Sequence, residues 1–360
     1  MINTNDLHFI EKQEGQINNI ASDTINSQYK KAEKNRSHLN KTLVISQTEQ
    51  QELLSHIKHI ETDITHQNII NNIFNNNLFE IMDFLPENSI DLLVIDPPYN
   101  LSKDFHGLKF NKMNDNAYID YLESWLPKMI RLLKPNGSIY LCGDWKTSYA
   151  LYVVLNKYAI IQNRISWQRE KGRGAKANWK NSIEDIWFAT KTKDYYFNVD
   201  AVKEKKAVIA PYRNKEDGTA KDWQEEEYGK FRLTYPSNFW NDITIPYWSM
   251  PENTDHPTQK PEKLIAKLIL ASCPVGGIVF DPFLGSGTTA VVAKKLDRIY
   301  SGVEINQEYY LWALKRLQLA STDKRIQGYE NGVFWQRNSS IAQKKTKTDK
   351  NNNEFVQELL

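Results

Sequence analysis

The 360-residue sequence has few cysteines, no long apolar run and little net charge, and each shortage removes a class of protein. The two cysteines, Cys142 and Cys273, both lie inside apolar segments, which supports neither a disulfide framework nor a zinc site; they read as small buried hydrophobes. No apolar stretch approaches the roughly 20 residues that span a bilayer. No secretory signal opens the chain either, so a soluble, cytoplasmic protein is expected, with no membrane partner. A formal net charge of +2 is no overall polycation, so any contact with nucleic acid must come from local patches. No internal repeat is visible. The length allows a large core, in one large domain or two smaller ones.

Against these absences stand two short segments of one design. Asp96-Pro97-Pro98-Tyr99 follows the apolar run Leu92-Leu93-Val94-Ile95. Phe280-Asp281-Pro282-Phe283-Leu284-Gly285-Ser286-Gly287-Thr288-Thr289 follows Ile278-Val279. Each is an acidic-proline-aromatic turn at the carboxyl end of a short apolar run. In an open α/β sheet, ligands bind outside the carboxyl ends of the strands, so both turns can face one crevice. The first offers a carboxylate, rigid carbonyls and an aromatic ring to a flat substrate. The second offers a glycine loop to a cofactor. Taken singly, each is also an ordinary strand-ending turn.

The surrounding pattern is α/β. Ser46-Gln47-Thr48-Glu49 fits a capping box ahead of Leu53, Leu54, Ile57, Ile60 and Ile64 at helical spacing. Strands are expected over 68–74, 90–95, 138–142 and 160–167. Helices are expected over 78–85 (one turn or two), 118–133 and 147–157. Strand and helix alternate again from 263: a helix at 263–272, a strand at 277–280, a helix at 288–296, a strand at 299–305 and a helix at 307–320. Between these halves, 168–255 is long, polar and irregular, yet holds Trp179, Trp187, Trp223, Trp240 and Trp248, too many tryptophans for a disordered segment. The expected organisation is a polar, partly helical extension at 1–65, one half of a core at 66–167, an insert at 168–255, the other half at 256–322 and a tail at 323–360 whose end is disordered.

With the acidic turn first, the long insert second and the glycine turn last, the chain resembles the β class of S-adenosylmethionine-dependent DNA amino-methyltransferases over about 66–322. The resemblance implies a Rossmann-like fold, a mostly parallel twisted sheet with helices on both faces, and an inserted target-recognition region. It implies S-adenosylmethionine as cofactor without a metal, double-stranded DNA as substrate, a homodimer, and a restriction endonuclease as functional counterpart. The glycine turn would bring Phe280, Asp281, Phe283, Gly285 and Gly287 to the cofactor, its backbone N–H groups facing a carboxylate and Asp281 facing the methionine ammonium. Glu304, ending the next strand, can take both ribose hydroxyls, as acidic residues do in dinucleotide-binding folds. The resemblance assigns Thr258 and Lys260, in His256-Pro257-Thr258-Gln259-Lys260-Pro261, to the methionine carboxylate. It places Asn77 where the family commonly has an acidic residue on the adenine amine.

Methyl transfer to an exocyclic amine needs no covalent enzyme nucleophile. It needs acceptors that localise the nitrogen lone pair. Asp96 and the Pro97 carbonyl are the candidates, with Tyr99 stacked on the base face. A duplex base reaches such a site only by flipping. Adenine N6 is the leading target and cytosine N4 the alternative, since members acting on cytosine more often carry Ser at the position of Asp96. Methylation of RNA or of a protein glutamine fits the motif order and the aromatic, basic insert less well. A DNA-binding protein on an inactive scaffold would not need the intact Asp96, Pro97, Tyr99, Gly285 and Gly287.

In the insert, Arg169, Lys171, Arg173, Lys176 and Lys180 can neutralise phosphates, although lysine- and glycine-rich runs also occur as solvated loops. Replacing Arg169, Lys171, Arg173 and Lys176 by Ala is expected to weaken DNA binding and flatten the slope of log affinity against log salt, with cofactor affinity unchanged. An unaltered slope in a fluorescence-anisotropy titration would remove this stretch from the phosphate contacts.

Overall fold

A computed structural model describes residues 37–105, 107–169, 177–208, 212–226 and 229–336. The expectations for 1–36 and for the end of the tail, and the basic residues Lys171, Arg173 and Lys176, lie outside them. The chain forms α1 (Gln47–Leu54), α2 (His66–Ile69), β1 (Asn72–Asn75), α3 (Leu78–Ile81) and β2 (Ile90–Ile95). A hairpin of β3 (Lys103–Phe105) and β4 (Leu108–Phe110) precedes α4 (Asp115–Leu132), β5 (Leu133–Asp144), α5 (Ser148–Tyr158), β6 (Ile160–Gln168) and β7 (Ile183–Thr190). Then come β8 (Glu204–Ala207), β9 (Gln224–Glu226), β10 (Gly229–Thr234) and β11 (Phe239–Trp240). The last part holds α6 (Glu262–Ser272), β12 (Ile278–Asp281), α7 (Thr288–Lys295), β13 (Ile299–Glu304), α8 (Gln307–Leu319), β14 (Tyr329–Glu330) and β15 (Val333–Trp335).

The main sheet has eight strands in the order β1-β13-β12-β2-β5-β7-β6-β11. From β1 to β5 all neighbours are parallel, while β7 runs antiparallel to both β5 and β6. Every residue of β2 is buried, as a central strand covered on both faces requires. Its side chains alternate between two cores: Leu93 and Ile95 join Leu122, Trp125 and Leu151 from α4 and α5. Leu92 and Val94 join Leu264, Leu268 and Val292 from α6 and α7 on the other face. This is the α/β architecture the sequence implies.

The sheets run across the segments expected from sequence. β7, placed by sequence in the insert, is an interior strand of the main sheet, and β11 is its edge. Within β7, Ile186 and Phe188 face one core while Trp187 and Ala189 face the other, a two-faced burial that the neighbouring polar segments hide from a reading of average composition. A second sheet, ordered β14-β15-β8-β10-β9, joins the insert to residues 329–335 of the tail. Phe334 and Trp335 there are buried. At the other end, α1 has its capping box but stops at Leu54. The chain then runs beside β1, Asn75 N–H donating to the Lys58 carbonyl and Asn76 exchanging side-chain bonds with Ile60, so Ile60 reaches the core from non-helical backbone.

Helix α6 is buried along its whole length between the two sheets. Lys267 on it is 1% exposed, lies 2.6 Å from Glu204 of β8 and stands over the Trp240 ring at 4.6 Å. Removing one member of a buried pair strands the other's charge at a cost of about 3–5 kcal/mol, whereas replacing both with apolar groups can be neutral. Glu204→Leu is therefore expected to destabilise strongly and Glu204→Leu with Lys267→Met to recover most of the loss in urea denaturation. Additive losses would show that the pair is not coupled.

Candidate functional site

β2 and β12 are neighbours, Val279 opposite Leu92 and Phe280 opposite Leu93, so the two proline turns leave the same edge of the sheet side by side. A cavity of about 530 Å³ opens there, within the usual range for small-molecule sites. Asn77, Asp96, Pro97, Tyr99, Arg169, Thr258, Lys260, Phe283, Gly285 and Glu304 all line it. Asp281 lines a small adjoining recess shared with Asp96, Thr258 and Lys260. Two residues expected at the cofactor do not line the cavity. Phe280 is a core residue, 1% exposed, because alternation along β12 turns it into the sheet's packing. Gly287 caps α7 at φ +82° and packs against Ala313. Lys180 is exposed, outside the cavity lining.

The acidic turn is held from behind. Tyr118 Oη donates to the Pro98 carbonyl at 2.9 Å, and Asn100 bonds both backbone groups of Met113. The Asp96 carboxylate accepts from Tyr99 Oη at 2.8 Å through Oδ1 and from Lys260 Nζ at 2.6 Å through Oδ2. Lys260 is thus turned toward the acidic turn and not toward the glycine turn. A second carboxylate, Glu184 at the start of β7, lies 3.4 Å from Lys260 Nζ and 3.3 Å from Tyr99 Oη. Its other oxygen accepts from Arg169 Nη1 at 2.5 Å, so the described arginine of the basic stretch is committed to an ion pair at the cavity wall. Burial opposes the charge on both Lys260 and Glu184. The surrounding opposite charges outweigh it, holding the lysine above its ordinary range and the glutamate below its own. The sequence reading missed Glu184, since it opens a strand inside the presumed insert; the run Ile183-Glu184-Asp185-Ile186-Trp187-Phe188 was its only local signal.

The glycine turn is built differently. Asp281 Oδ1 accepts from Phe283 N–H at 3.0 Å and Oδ2 from Thr289 Oγ1 at 2.6 Å, so this carboxylate braces the turn from inside. Glu304 takes Gly285 N–H at 2.7 Å and Asn306 N–H at 2.8 Å. Burial pushes both carboxyls up to about 7, with the turn's hydrogen bonds opposing it. Beneath the turn, buried Arg316 donates to the Ser286 carbonyl at 2.8 Å and to Thr288 Oγ1 at 2.9 Å, and pairs with Glu262. Asn77 caps α3: its side-chain oxygen accepts from Phe79 N–H at 3.2 Å, and its amide donates to Glu80. A Cβ on Gly285, at φ +55°, would reach 3.0 Å from the His256 ring, so the bare backbone keeps this corner of the cavity open.

Residues 90–315 match the family described as DNA methylase, comprising N6 and N4 methyltransferases. The type II methyltransferase M.HpaI of Haemophilus parainfluenzae is 34% identical over 258 residues, 71% of this chain and 75% of that protein. The DNA adenine methyltransferase YhdJ of Escherichia coli K12 is 34% identical over 242 residues, 66% of this chain and 79% of that protein. Among solved structures, the cytosine-N4-specific PvuII DNA methyltransferase superposes with a TM-score of 0.52 at 18% identity, covering 71% of this chain and 87% of its own, which shows a shared fold.

The two glycines should respond differently to a methyl group. Gly287→Ala adds left-handed strain of about 1–2 kcal/mol to a Cβ placed 2.5 Å from Ala313 Cβ and 2.9 Å from its Cα. Gly285→Ala carries the strain but meets only a side-chain ring. Thermal denaturation is expected to show the larger loss for Gly287→Ala; equal losses would mean that the contact with α8 yields.

Proposed function

The chain belongs to the DNA methylase family of N6 and N4 methyltransferases, and we propose that it methylates the N6 amine of a flipped adenine in double-stranded DNA at a specific sequence, using S-adenosylmethionine. The observation that carries this reading is the pairing of β2 with β12, which sets the Asp96-Pro97-Pro98-Tyr99 turn and the glycine turn against one cavity. Adenine is preferred over cytosine because Asp96 stands where cytosine-N4 members more often have Ser. The 34% identity to a protein named as an adenine methyltransferase supports the same choice.

The cavity's donor set fits the cofactor: a close-approach glycine, a carboxylate for a diol and apolar walls including Phe283. When bound, S-adenosylmethionine supplies an electrophilic methyl group on sulfonium. Glu304 is the residue for the ribose hydroxyls, and hydrogen-bond donors there favour its charged form. Thr258, Gly285 and Asp281 surround the methionine end, and Asn77 stands at the adenine end with its oxygen shared with the α3 cap. On the substrate side, Asp96 accepts one N–H of the base amine and the Pro97 carbonyl the other. This draws the lone pair out of the ring's π-system and aims it at the methyl. Tyr118 occupies the Pro98 carbonyl and leaves that of Pro97 to the substrate. Tyr99 packs on the base. Positioning supplies most of the effect, and the methylated amine sheds its extra proton readily. Lys171, Arg173, Lys176 and Lys180 belong to the DNA-facing side of this proposal, with Arg169 at the cavity wall tied to Glu184, and a homodimer, a cognate restriction endonuclease and a cytoplasmic location complete it.

Methylation of plasmid DNA in vitro, mapped by single-molecule sequencing, is the test. N6-methyladenine in one sequence context is expected, and Asp96→Ala should reduce the rate by about 10²-fold or more while cofactor affinity by calorimetry stays near wild type. N4-methylcytosine in the product would move the protein to the other branch of the family, and an active Asp96→Ala would remove the role given to that carboxylate.

A further inference from the structure

Asp96 is not ready for a base amine as it stands. Lys260 Nζ lies on one oxygen at 2.6 Å and Tyr99 Oη on the other at 2.8 Å. A carboxylate has lone pairs to spare, so the obstacle is charge more than occupancy. An ammonium in contact with Asp96 weakens it as an acceptor and places a cation beside a nitrogen that becomes positive during transfer. Both groups holding Asp96 have a second acceptor within reach, and it is the same one: Glu184 Oε2, at 3.4 Å from Lys260 Nζ and 3.3 Å from Tyr99 Oη.

From this geometry we infer that Glu184 is a positioning residue for the reaction. It takes over the Lys260 ammonium and the Tyr99 hydroxyl when the substrate amine arrives at Asp96. The inference rests on the methyltransferase reading above and adds a residue to it. A charge-assisted bond of 2.7–2.9 Å needs Lys260 Nζ to move by only about 0.6 Å toward Glu184. Three features suit Glu184 to the role. Its side chain is 6% exposed and that of Lys260 9%, so their attraction is poorly screened by water. Arg169 holds its far oxygen at 2.5 Å, which fixes the carboxylate with Oε2 turned to the pair. Lys260 and Arg169 also favour its charged form. The hand-over moves no proton between side chains and requires no co-reactant. It exchanges hydrogen-bond partners among Asp96, Glu184, Lys260 and Tyr99.

Neutralising Glu184 should trap Lys260 on Asp96. Glu184→Gln is therefore expected to slow single-turnover methyl transfer by about 10- to 100-fold, the scale of an ångström-sized misplacement. The dissociation constants for S-adenosylmethionine and for plasmid DNA should stay within about threefold, since neither ligand's recognition is the step affected. Glu184→Asp, which keeps the charge, should recover part of the rate. A second readout does not use turnover. In ¹⁵N-lysine-labelled protein, the Lys260 ammonium resonance, identified by its absence in Lys260→Arg, should shift when methylatable plasmid fragments and S-adenosylhomocysteine are added to the wild type and stay in place in Glu184→Gln. Transfer within twofold of wild type in Glu184→Gln, an equal resonance shift in both proteins, or a rate loss matched by lost cofactor and DNA affinity would each overturn the assignment, the last by showing a merely structural residue. A wild type that methylates no DNA sinks the parent reading, an outcome separate from a slow or fast Glu184→Gln in an active background.

Discussion

Everything in this site depends on the parallel pairing of β2 with β12. The two strands come from distant parts of the chain, yet Leu92 and Leu93 lie directly beside Val279 and Phe280. Their cost in loop closure is high, because a long stretch of chain must be ordered before the contact forms; that cost grows only slowly with length, and the apolar burial on both faces offsets it. Once the register is set, no further device is needed to bring Asp96 near Asp281 and Gly285. A slip of one residue would turn Leu92 and Leu93 to the wrong cores and re-aim both proline turns, so the same packing that stabilises the sheet fixes the geometry of the cavity.

The crevice gathers Asp96, Glu184, Asp281 and Glu304, and what surrounds each decides its state. Burial works on Glu184 and Glu304 in the same direction, toward the neutral form. Glu184 meets two cations, Lys260 and Arg169, and ends below its ordinary range. Glu304 meets backbone N–H groups only and ends near 7. The attraction of two full positive charges is what Glu304 lacks, and that difference carries Glu184 across the balance and leaves Glu304 at it. On its side of the cavity, Glu184 is therefore held by its ion pairs with Lys260 and Arg169. The cofactor half is a pair of carboxyls whose charge is settled by what binds, because hydroxyl donors on Glu304 favour the anion.

Legibility followed the range of the interactions. β2 has the bounds expected of it, since Ile90-Asp91-Leu92-Leu93-Val94-Ile95 is buried on both faces and ended by Asp-Pro-Pro. The glycine turn was legible because left-handed φ at Gly285 and Gly287 is a local demand that glycine meets. The capping box at Ser46 was visible, but the end of α1 was not: the isoleucines beyond it keep helical spacing, while Ile60 N–H donates to the Asn76 side chain and Ile64 N–H to the Phe84 carbonyl. β7 and β15 escaped for a stronger reason. Nothing near Ile183 or Phe334 in the sequence says that their partners are β5 and β8. Glu184 was lost with its strand, and the contact of Lys260 with Asp96 was not legible because a lysine between two prolines can serve any carboxylate that the fold brings to it.

Helix α6 shows how the second sheet is joined to this core without loosening the cavity. Its lysines reach the second sheet and the segment around β11: Lys263 bonds Asp242 and the Trp335 carbonyl, and Lys267 bonds Glu204 and stands over Trp240. Its first residue, Glu262, faces the other way, pairing with Lys295 and with Arg316, which holds the Ser286 carbonyl under the glycine turn. One helix thus bolts the second sheet to the core and braces the glycine turn. The segment just before it carries Thr258 and Lys260 into the cavity. A displacement of the second sheet would be transmitted through α6 to both walls of the crevice, because close-packed interiors shift as units and do not absorb strain locally. The fold therefore ties the insert to the two proline turns through buried charge pairs that are expensive to break.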